Sequence, residues 1–150
     1  MFYRTALLLT VIWMATSCTS KKLTIKSLFP HTQVFNNLDR QGRERNEQSV
    51  FKHFFVENWN PRDNSKARQL RNFALKQRDT DYSKYYQYEM YFYNKTNVLN
   101  ENFDSTVNDD IAWHQKDLAA TARWYQGGRM FFKMYENGNC VNCGDSIRIE

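Results

Sequence analysis

The sequence has few residues that interrupt a fold: 2 Pro and 5 Gly in 150 residues, with no internal repeat and no low-complexity tract. The absence of a repeat argues against a solenoid or propeller array. A composition that is 41% hydrophobic and 16% aromatic argues against a disordered chain, because it supplies enough apolar surface for a core. A chain of this length is typical of one domain.

Cysteine is also scarce, and two of the 3 cysteines form the pair Cys140-Val141-Asn142-Cys143. A structural zinc site needs four ligands, and the sequence has no second pair at this spacing. Redox pairs of the thioredoxin type begin a helix, whereas this pair lies among turn-forming residues. We therefore expect a structural disulfide between Cys140 and Cys143, and no metal site. A thiol oxidoreductase that uses this pair is the alternative.

No hydrophobic run at the N-terminus is long enough to cross a bilayer as a helix, which takes about 20 residues. The run Ala6–Ala15 follows Arg4 and has the length of the apolar region of a signal peptide. It is followed by Thr16, Ser17 and the third cysteine, Cys18. A positive start, a short apolar run and small residues before a cysteine predict an exported, processed chain.

This segment resembles the lipobox of bacterial lipoproteins. In that family a peptidase cuts before the cysteine, and the cysteine sulfur receives a diacylglyceryl group. The resemblance implies a signal peptide over 1–17, lipidation of Cys18 and a tether over 18–27, followed by a single domain over 28–150. Ser17 fits the pattern, whereas Ala15 departs from the usual Leu. Two or three acyl chains, such as palmitate, anchor a protein firmly because each buried methylene contributes about 0.8 kcal/mol.

The residue after Cys18 is Thr19, so the Asp that favours retention in the inner membrane of enterobacteria is absent. By resemblance, this predicts the outer membrane as the location, with the domain on the periplasmic or the surface side left open. An exported protein rarely meets nucleic acid, so nucleic acid is not an expected partner.

Charge is unevenly distributed along the mature chain. From Asp39 to Arg78 there are 10 Lys and Arg against 5 Asp and Glu, and from Asp79 to Asp117 there are 3 against 8. Charge runs are usually solvated faces, and a basic patch that meets an anionic surface is the functional alternative.

Periodicity predicts two helices followed by strands. Gln48–Trp59 has apolar residues at helical spacing, and a second helix capped by Asp63 or Ser65 is expected to run to about Gln77. The alternation over Lys84–Lys95 is the clearest strand pattern. Further strands are expected over 111–115, 118–126, 129–135 and 146–150. The sequence thus predicts an α+β fold, with one or two N-terminal helices packed on an antiparallel meander sheet.

Two groups of residues are candidates for a partner surface. Aromatic residues with polar neighbours make good binding surfaces, since tyrosine offers contact area at low entropic cost. The first group is Tyr85, Tyr91 and Tyr93 on the predicted strand, and the second is Lys66, Arg68 and Arg71 on the predicted basic helix.

No catalytic constellation is recognisable, and no cofactor motif is present. His114 lies near acidic residues, but no serine or cysteine has the setting of a nucleophile. We therefore expect a non-enzymatic accessory or binding lipoprotein of the envelope, held to the membrane by lipid and meeting a protein partner there. A toxin-immunity lipoprotein is a further alternative.

Overall fold

The computed structural model describes residues 21–29, 32–104, 111–125 and 128–143. Over these ranges the chain forms seven strands and one α-helix. In chain order they are β1 (Thr24–Ser27), β2 (Gln33–Leu38), β3 (Glu44–Glu57), α1 (Asn64–Gln77), β4 (Gln87–Asn94), β5 (Leu118–Tyr125), β6 (Met130–Glu136) and β7 (Asn139–Cys140). Two short 3-10 segments, Tyr82–Lys84 and Ile111–Asp117, precede β4 and β5.

The strands form one mixed sheet organised around the long strand β3. The outer edge of β3 pairs with two short antiparallel strands, β2 along its N-terminal half and β1 along its C-terminal half. Its inner edge pairs in parallel with β4, and α1 makes the crossover that a parallel pair requires. From β4 onward the chain is an antiparallel meander through β5, β6 and β7.

The predicted fold class is therefore wrong. Three strands precede the helix, so the described part of the domain does not begin with helices, and of the two expected helices only the second is present, as α1. The sheet is mixed and not an antiparallel meander throughout, because β3 and β4 run parallel. The antiparallel meander that was expected is confined to the C-terminal half of the chain.

The predicted helix over Gln48–Trp59 is the source of this error. The segment forms most of β3, where Val50, Phe55 and Val56 are almost fully buried. A strand that is covered on both faces has nearly continuous apolar residues, and these match helical spacing as well as strand spacing. Similarly, the predicted strand 111–115 is a 3-10 segment.

Other expectations from periodicity are confirmed. The helix α1 has Asp63 as its N-cap, and the carboxylate of Asp63 accepts from the backbone N–H groups of Ser65 and Lys66. The clearest strand pattern forms β4, and the two aromatic runs after Asp117 form the hairpin of β5 and β6. Asn137 and Gly138 form the turn between β6 and β7, with φ angles of 51° and 77°. The expected strand 146–150 lies outside the described residues.

The main core lies between α1 and one face of the sheet. Leu70 and Ala74 of the helix are fully buried against even-numbered residues of β3, β4 and β5. The ring of Phe73 meets Phe54 and Phe92 edge-on, with centroids at 5.2 and 6.1 Å. Burying a side chain such as Leu70 contributes about 1.5–3 kcal/mol, so this layer supplies much of the stability.

A polar cluster fastens the C-terminal end of α1 to the sheet. Lys52 of β3 donates to Asp79 Oδ1 at 2.9 Å and to the backbone oxygen of Gln77 at 3.3 Å. The hydroxyl of Tyr88 donates to Asp79 Oδ2 at 3.1 Å. Burial of Lys52 opposes its charge, but hydrogen bonds to Tyr88 and Asp79 raise its pKa overall.

The opposite face of the sheet, which we call the open face, is not covered by a helix among the described residues. A second, smaller cluster covers only one end of it and consists of Leu28, Phe55, Tyr93, Leu99 and Phe103. This covered end is where β3 and β4 finish and β5 begins. The uncovered remainder of the open face forms the candidate site.

Candidate functional site

Pairing registers arrange the open face as rows of side chains that cross the sheet. One row runs through His53, Tyr91, Thr121 and Lys133, on β3, β4, β5 and β6 respectively. The neighbouring row runs through Phe51, Glu89, Arg123 and Phe131 in the same order. Because side chains alternate between the faces of a strand, both rows point away from α1. Both cations of these rows, Arg123 and Lys133, lie on β5 and β6, whereas the β3 members are aromatic.

These rows form the floor of a cavity of about 730 Å³, which we call the open-face cavity. Its size lies within the range of about 300–1,000 Å³ that is typical of small-molecule sites. Residues from β2, the 3-10 segment before β5 and the β6–β7 turn make its walls. The lining residues are Gln33, Phe51, His53, Tyr91, Tyr93, Ile111, Gln115, Leu118, Thr121, Arg123, Tyr125, Phe131, Lys133, Tyr135 and Gly138.

A buried ion pair lies at the base of the cavity. The carboxylate of Glu89 has no exposed surface, and both of its oxygens accept hydrogen bonds from neighbouring side chains. Arg123 Nε contacts Oε1, and Arg123 Nη2 donates to Oε2 at 3.0 Å. Gln87 Nε2 donates to Oε1, and the hydroxyl of Tyr91 donates to Oε2. A buried carboxylate needs such partners, because leaving it unpaired would cost several kcal/mol.

The ion pair and its burial fix the protonation of its neighbours. Burial and the hydrogen bond to Glu89 raise the pKa of Tyr91 well above its usual value, so this phenol stays protonated. Burial of Arg123 opposes its charge, but hydrogen bonds to Tyr125 and Glu89 raise its pKa overall. The Nη1 atom of Arg123, which is not hydrogen-bonded to Glu89, donates to the hydroxyl of Tyr125 at 2.8 Å. These groups thus form one continuous hydrogen-bond network at the base of the cavity.

Stacked rings form the β3–β4 part of this floor. The His53 ring stacks on Tyr91 at 5.2 Å and on Tyr93 at 6.1 Å, with interplanar angles of 10° and 14°. Phe51 extends this group of rings, with its centroid 6.3 Å from that of Tyr91 and its ring tilted by 44°. The ring of Phe29 meets His53 edge-on at 5.3 Å. This packing holds the rings in place, so a ligand would meet aromatic surface that is already ordered.

One end of the cavity is closed by backbone contacts. A Cβ placed on Gly138 would lie 3.3 Å from the Cα of Lys116, so the β6–β7 turn packs directly on the 3-10 segment before β5. The positive φ of Gly138, 77°, also favours glycine there. The opposite end lies near Tyr125, whose side chain is 39% exposed.

The structure separates the sequence-predicted surface residues into different places. Tyr91 and Tyr93 line the cavity, as the shared face of the strand predicted. Tyr85 does not join them, since its ring packs at the margin of the core under α1 and carries Lys84 Nζ 4.9 Å from its centroid. The predicted tyrosine surface therefore keeps two of its three members.

The predicted basic group lies on α1, on the other side of the sheet from the cavity. Lys66 is occupied locally, since its Nζ donates to the backbone oxygen of Asn58 at 2.7 Å. Arg68 is exposed and Arg71 is partly buried. The two predicted groups therefore form no continuous surface.

Cys140 and Cys143 are disulfide-bonded, with their Cα atoms 5.7 Å apart. Asn142, between them, donates to the backbone oxygen of Phe132 at 3.1 Å and accepts from the N–H of Met134 at 2.5 Å. The bridged loop thus continues the sheet beyond β6, and no helix begins at either cysteine. Cys18 lies outside the described residues.

Sequence reasoning missed the residues that give the cavity its charge: Glu89, Arg123 and Lys133. A signal for the first was present, because Glu89 is the one acidic residue inside an otherwise aromatic strand. Its partner could not be found from the sequence, since Arg123 is 34 residues away and meets it only through the β4–β5 register.

Comparison with known proteins gives no information about this site, so its chemistry has to be interpreted from its own residues. No family model, no curated protein and no solved structure matches the chain. The described residues hold no group of three or more His, Cys, Asp or Glu side chains that could bind a metal ion. Within the same ranges, no helix has the length and apolar character needed to cross a bilayer.

Proposed function

We propose that this chain is a lipid-anchored protein of the bacterial envelope with a non-enzymatic binding role, and that the open-face cavity is its binding site. The observation that carries the binding role is the cavity itself. It is a concave aromatic surface with a few fixed polar groups, built on a rigid sheet. Small-molecule sites have this composition, with apolar walls for affinity and a few polar groups for orientation.

The chemistry of the cavity favours binding over catalysis. Catalytic acids and bases need a proton that can be transferred near neutral pH. In this cavity both oxygens of Glu89 are occupied, and the phenol of Tyr91 is held protonated by burial and by that carboxylate. The polar network is therefore better suited to hold its neighbours still than to move protons.

The anchor is supported by the lipobox-like segment that ends at Cys18 and by how soon the folded domain begins after it. Leu23 is buried at 7% exposure, and the backbone oxygen of Lys22 accepts from Asn58 Nδ2 at 3.0 Å. Leu23 is five positions after Cys18, and an extended chain spans at most about 3.6 Å per position, or about 18 Å over this distance. A lipid on Cys18 would therefore hold the domain close to the membrane surface.

Intact-mass spectrometry of the protein extracted from membranes tests the anchor. We expect the mass of residues 18–150 plus a diacylglyceryl group and an acyl chain. A mass that corresponds to the full, unmodified chain would refute the lipid anchor and leave the cavity unaffected.

Calorimetric titration with naphthalenemethanol, a neutral aromatic probe, tests the cavity. The full chain would be held in nanodiscs, with the signal of empty nanodiscs subtracted. Tyr125→Ala removes an exposed ring from the lining of the cavity and is expected to weaken binding about fivefold, since one aromatic contact contributes about 1 kcal/mol. Tyr86→Ala is the matched control, because Tyr86 is 41% exposed against 39% for Tyr125 and does not line the cavity.

The binding role is refuted if the wild-type protein gives no heat above that of empty nanodiscs with this probe or with its carboxylate analogue, naphthoate. It is also refuted if the two tyrosine variants weaken binding equally, because the probe would then bind somewhere other than the open-face cavity.

The alternative of a thiol oxidoreductase has less support. Asn142 forms hydrogen bonds to the backbone of Phe132 and Met134. The loop between the two cysteines would therefore stay attached to β6 even if the disulfide were reduced. Insulin-reduction kinetics that are the same for the wild type and for a double cysteine-to-serine variant would exclude this alternative.

A further inference from the structure

We propose that the open-face cavity selects an aromatic anion: a molecule with a flat ring system and one acid group, about 10 Å from end to end. This inference rests on the proposed binding role and adds the chemical class of the ligand. It is carried by Lys133, a cation with no ion-pair partner among the described residues, which lies in the same row of the sheet as the stacked rings.

The row fixes where the two parts of the ligand would lie. Tyr91 on β4 pairs with Thr121 on β5, and Thr121 pairs with Lys133 on β6. Neighbouring strands are about 4.8 Å apart, so the ring of Tyr91 and the stem of Lys133 are separated by about 10 Å. A bicyclic aromatic acid spans this distance, with its ring on Tyr91 and its acid group at Lys133.

The charges of the cavity favour an anion. Arg123 and Lys133 contribute two positive charges, and Glu89 beneath them contributes one negative charge. The pairing of Arg123 with Glu89 leaves one positive charge over. Among the described residues, no carboxylate lies within ion-pair distance of Lys133, so its ammonium group has donors available to a ligand.

The same geometry disfavours a cationic ligand. The carboxylate of Glu89 is fully buried and accepts from Arg123, Gln87 and Tyr91, so it offers no free oxygen to a ligand cation. A cation placed on the rings would also lie near Lys133. The cavity thus differs from the aromatic cages that bind quaternary ammonium groups, where an uncompensated positive charge is absent.

The test compares two probes that share a ring system and differ in charge: naphthoate and naphthalenemethanol. Both are titrated into the full chain in nanodiscs, with the wild type, Lys133→Met and Lys76→Met measured in parallel. We expect Lys133→Met to weaken naphthoate binding at least about tenfold, the effect of losing a charge-assisted hydrogen bond. The affinity for naphthalenemethanol should change less than about twofold, since its hydroxyl carries no charge.

Lys76→Met is the matched control because Lys76 is exposed on α1, on the other side of the sheet. It removes the same charge from the protein without touching the cavity, so it should leave the affinity for naphthoate unchanged. If Lys76→Met weakens naphthoate as much as Lys133→Met does, the effect comes from overall charge and the inference is wrong.

Two further outcomes separate this inference from the proposed binding role. If naphthalenemethanol binds the wild type and naphthoate binds no more tightly, the cavity is a binding site without selectivity for anions, and only the inference fails. If neither probe binds, both fail. Decanoate, an aliphatic acid, is expected to bind more weakly than naphthoate, and tighter binding of decanoate would overturn the aromatic part of the proposal.

Discussion

Removing one or the other member of the Glu89–Arg123 pair is expected to destabilise the protein by clearly different amounts. Arg123→Met leaves a carboxylate with no exposed surface and only neutral donors, Gln87 and Tyr91. Breaking a buried pair in this way costs about 3–5 kcal/mol. Glu89→Gln leaves a guanidinium whose side chain is 38% exposed, so water can solvate it. We expect this second variant to cost about 1–2 kcal/mol, which is the loss of a charged hydrogen bond.

Urea unfolding of the full chain in nanodiscs, followed by tryptophan fluorescence, measures both losses. Arg68→Met is the control for a loss of positive charge, since Arg68 is exposed on α1, and it should be neutral within about 0.5 kcal/mol. The double variant Glu89→Leu with Arg123→Met should be more stable than Arg123→Met alone, because no unpaired charge remains buried. A loss for Glu89→Gln that equals or exceeds that for Arg123→Met would refute the reasoning.

Three further measurements test other parts of the structure. Replacing both Cys140 and Cys143 with Ser should lower the free energy of unfolding by about 2 kcal/mol, the loop-entropy value for so short a loop, and an unchanged urea midpoint would contradict a structural bridge. Asp63→Ala should cost about 1 kcal/mol in thermal unfolding through loss of the α1 N-cap, and no loss would mean that water replaces the cap. The pKa of Tyr91 is raised above the unfolded value near 10 by burial and by Glu89, so its contribution to stability is present below about pH 10 and lost as the pH rises. The free energy of unfolding should therefore fall less steeply between about pH 9 and pH 11 in Tyr91→Phe than in the wild type. Equal slopes for the two proteins would refute the raised pKa of Tyr91.

Local signals in the sequence were sufficient where one short segment determines its own conformation. The helix α1 has a capping aspartate, a narrow apolar stripe and a following loop, and it was predicted nearly to its ends. The strand β4 has an alternation that no helix accommodates. The turn at Asn137 and Gly138 has the residue types that positive φ angles require.

Tertiary context decided what local signals could not. In β3, the segment from Val50 to Val56 has apolar residues on both faces, because one face packs under α1 and Phe55 on the other face packs in the second cluster. When both faces of a strand are apolar, the sequence no longer alternates between polar and apolar residues. The same apolar residues then also match the spacing of a helix.

The sequence predicted the tyrosines of the cavity but not its cations, because the cations depend on strand pairing. Tyr91 and Tyr93 were placed on one face of a strand by alternation alone. Their partners Arg123 and Lys133 reach the same face only through strand pairing, and the register of β5 against β4 and β6 depends on turns and on packing against α1.

The position of β2 at the rim of the sheet bears on how copies of this protein meet one another. No described strand pairs with the outer edge of β2, and that strand exposes 51% of Phe35 and 58% of Leu38. A bare edge with apolar side chains is a template for intermolecular strand pairing. Here the register shifts between Asn36 and Leu38, and the ion pair of Asp39 and Arg43 at 2.8 Å follows directly. The irregularity and the charges interrupt the ladder that a second molecule would need, which limits aggregation through this edge.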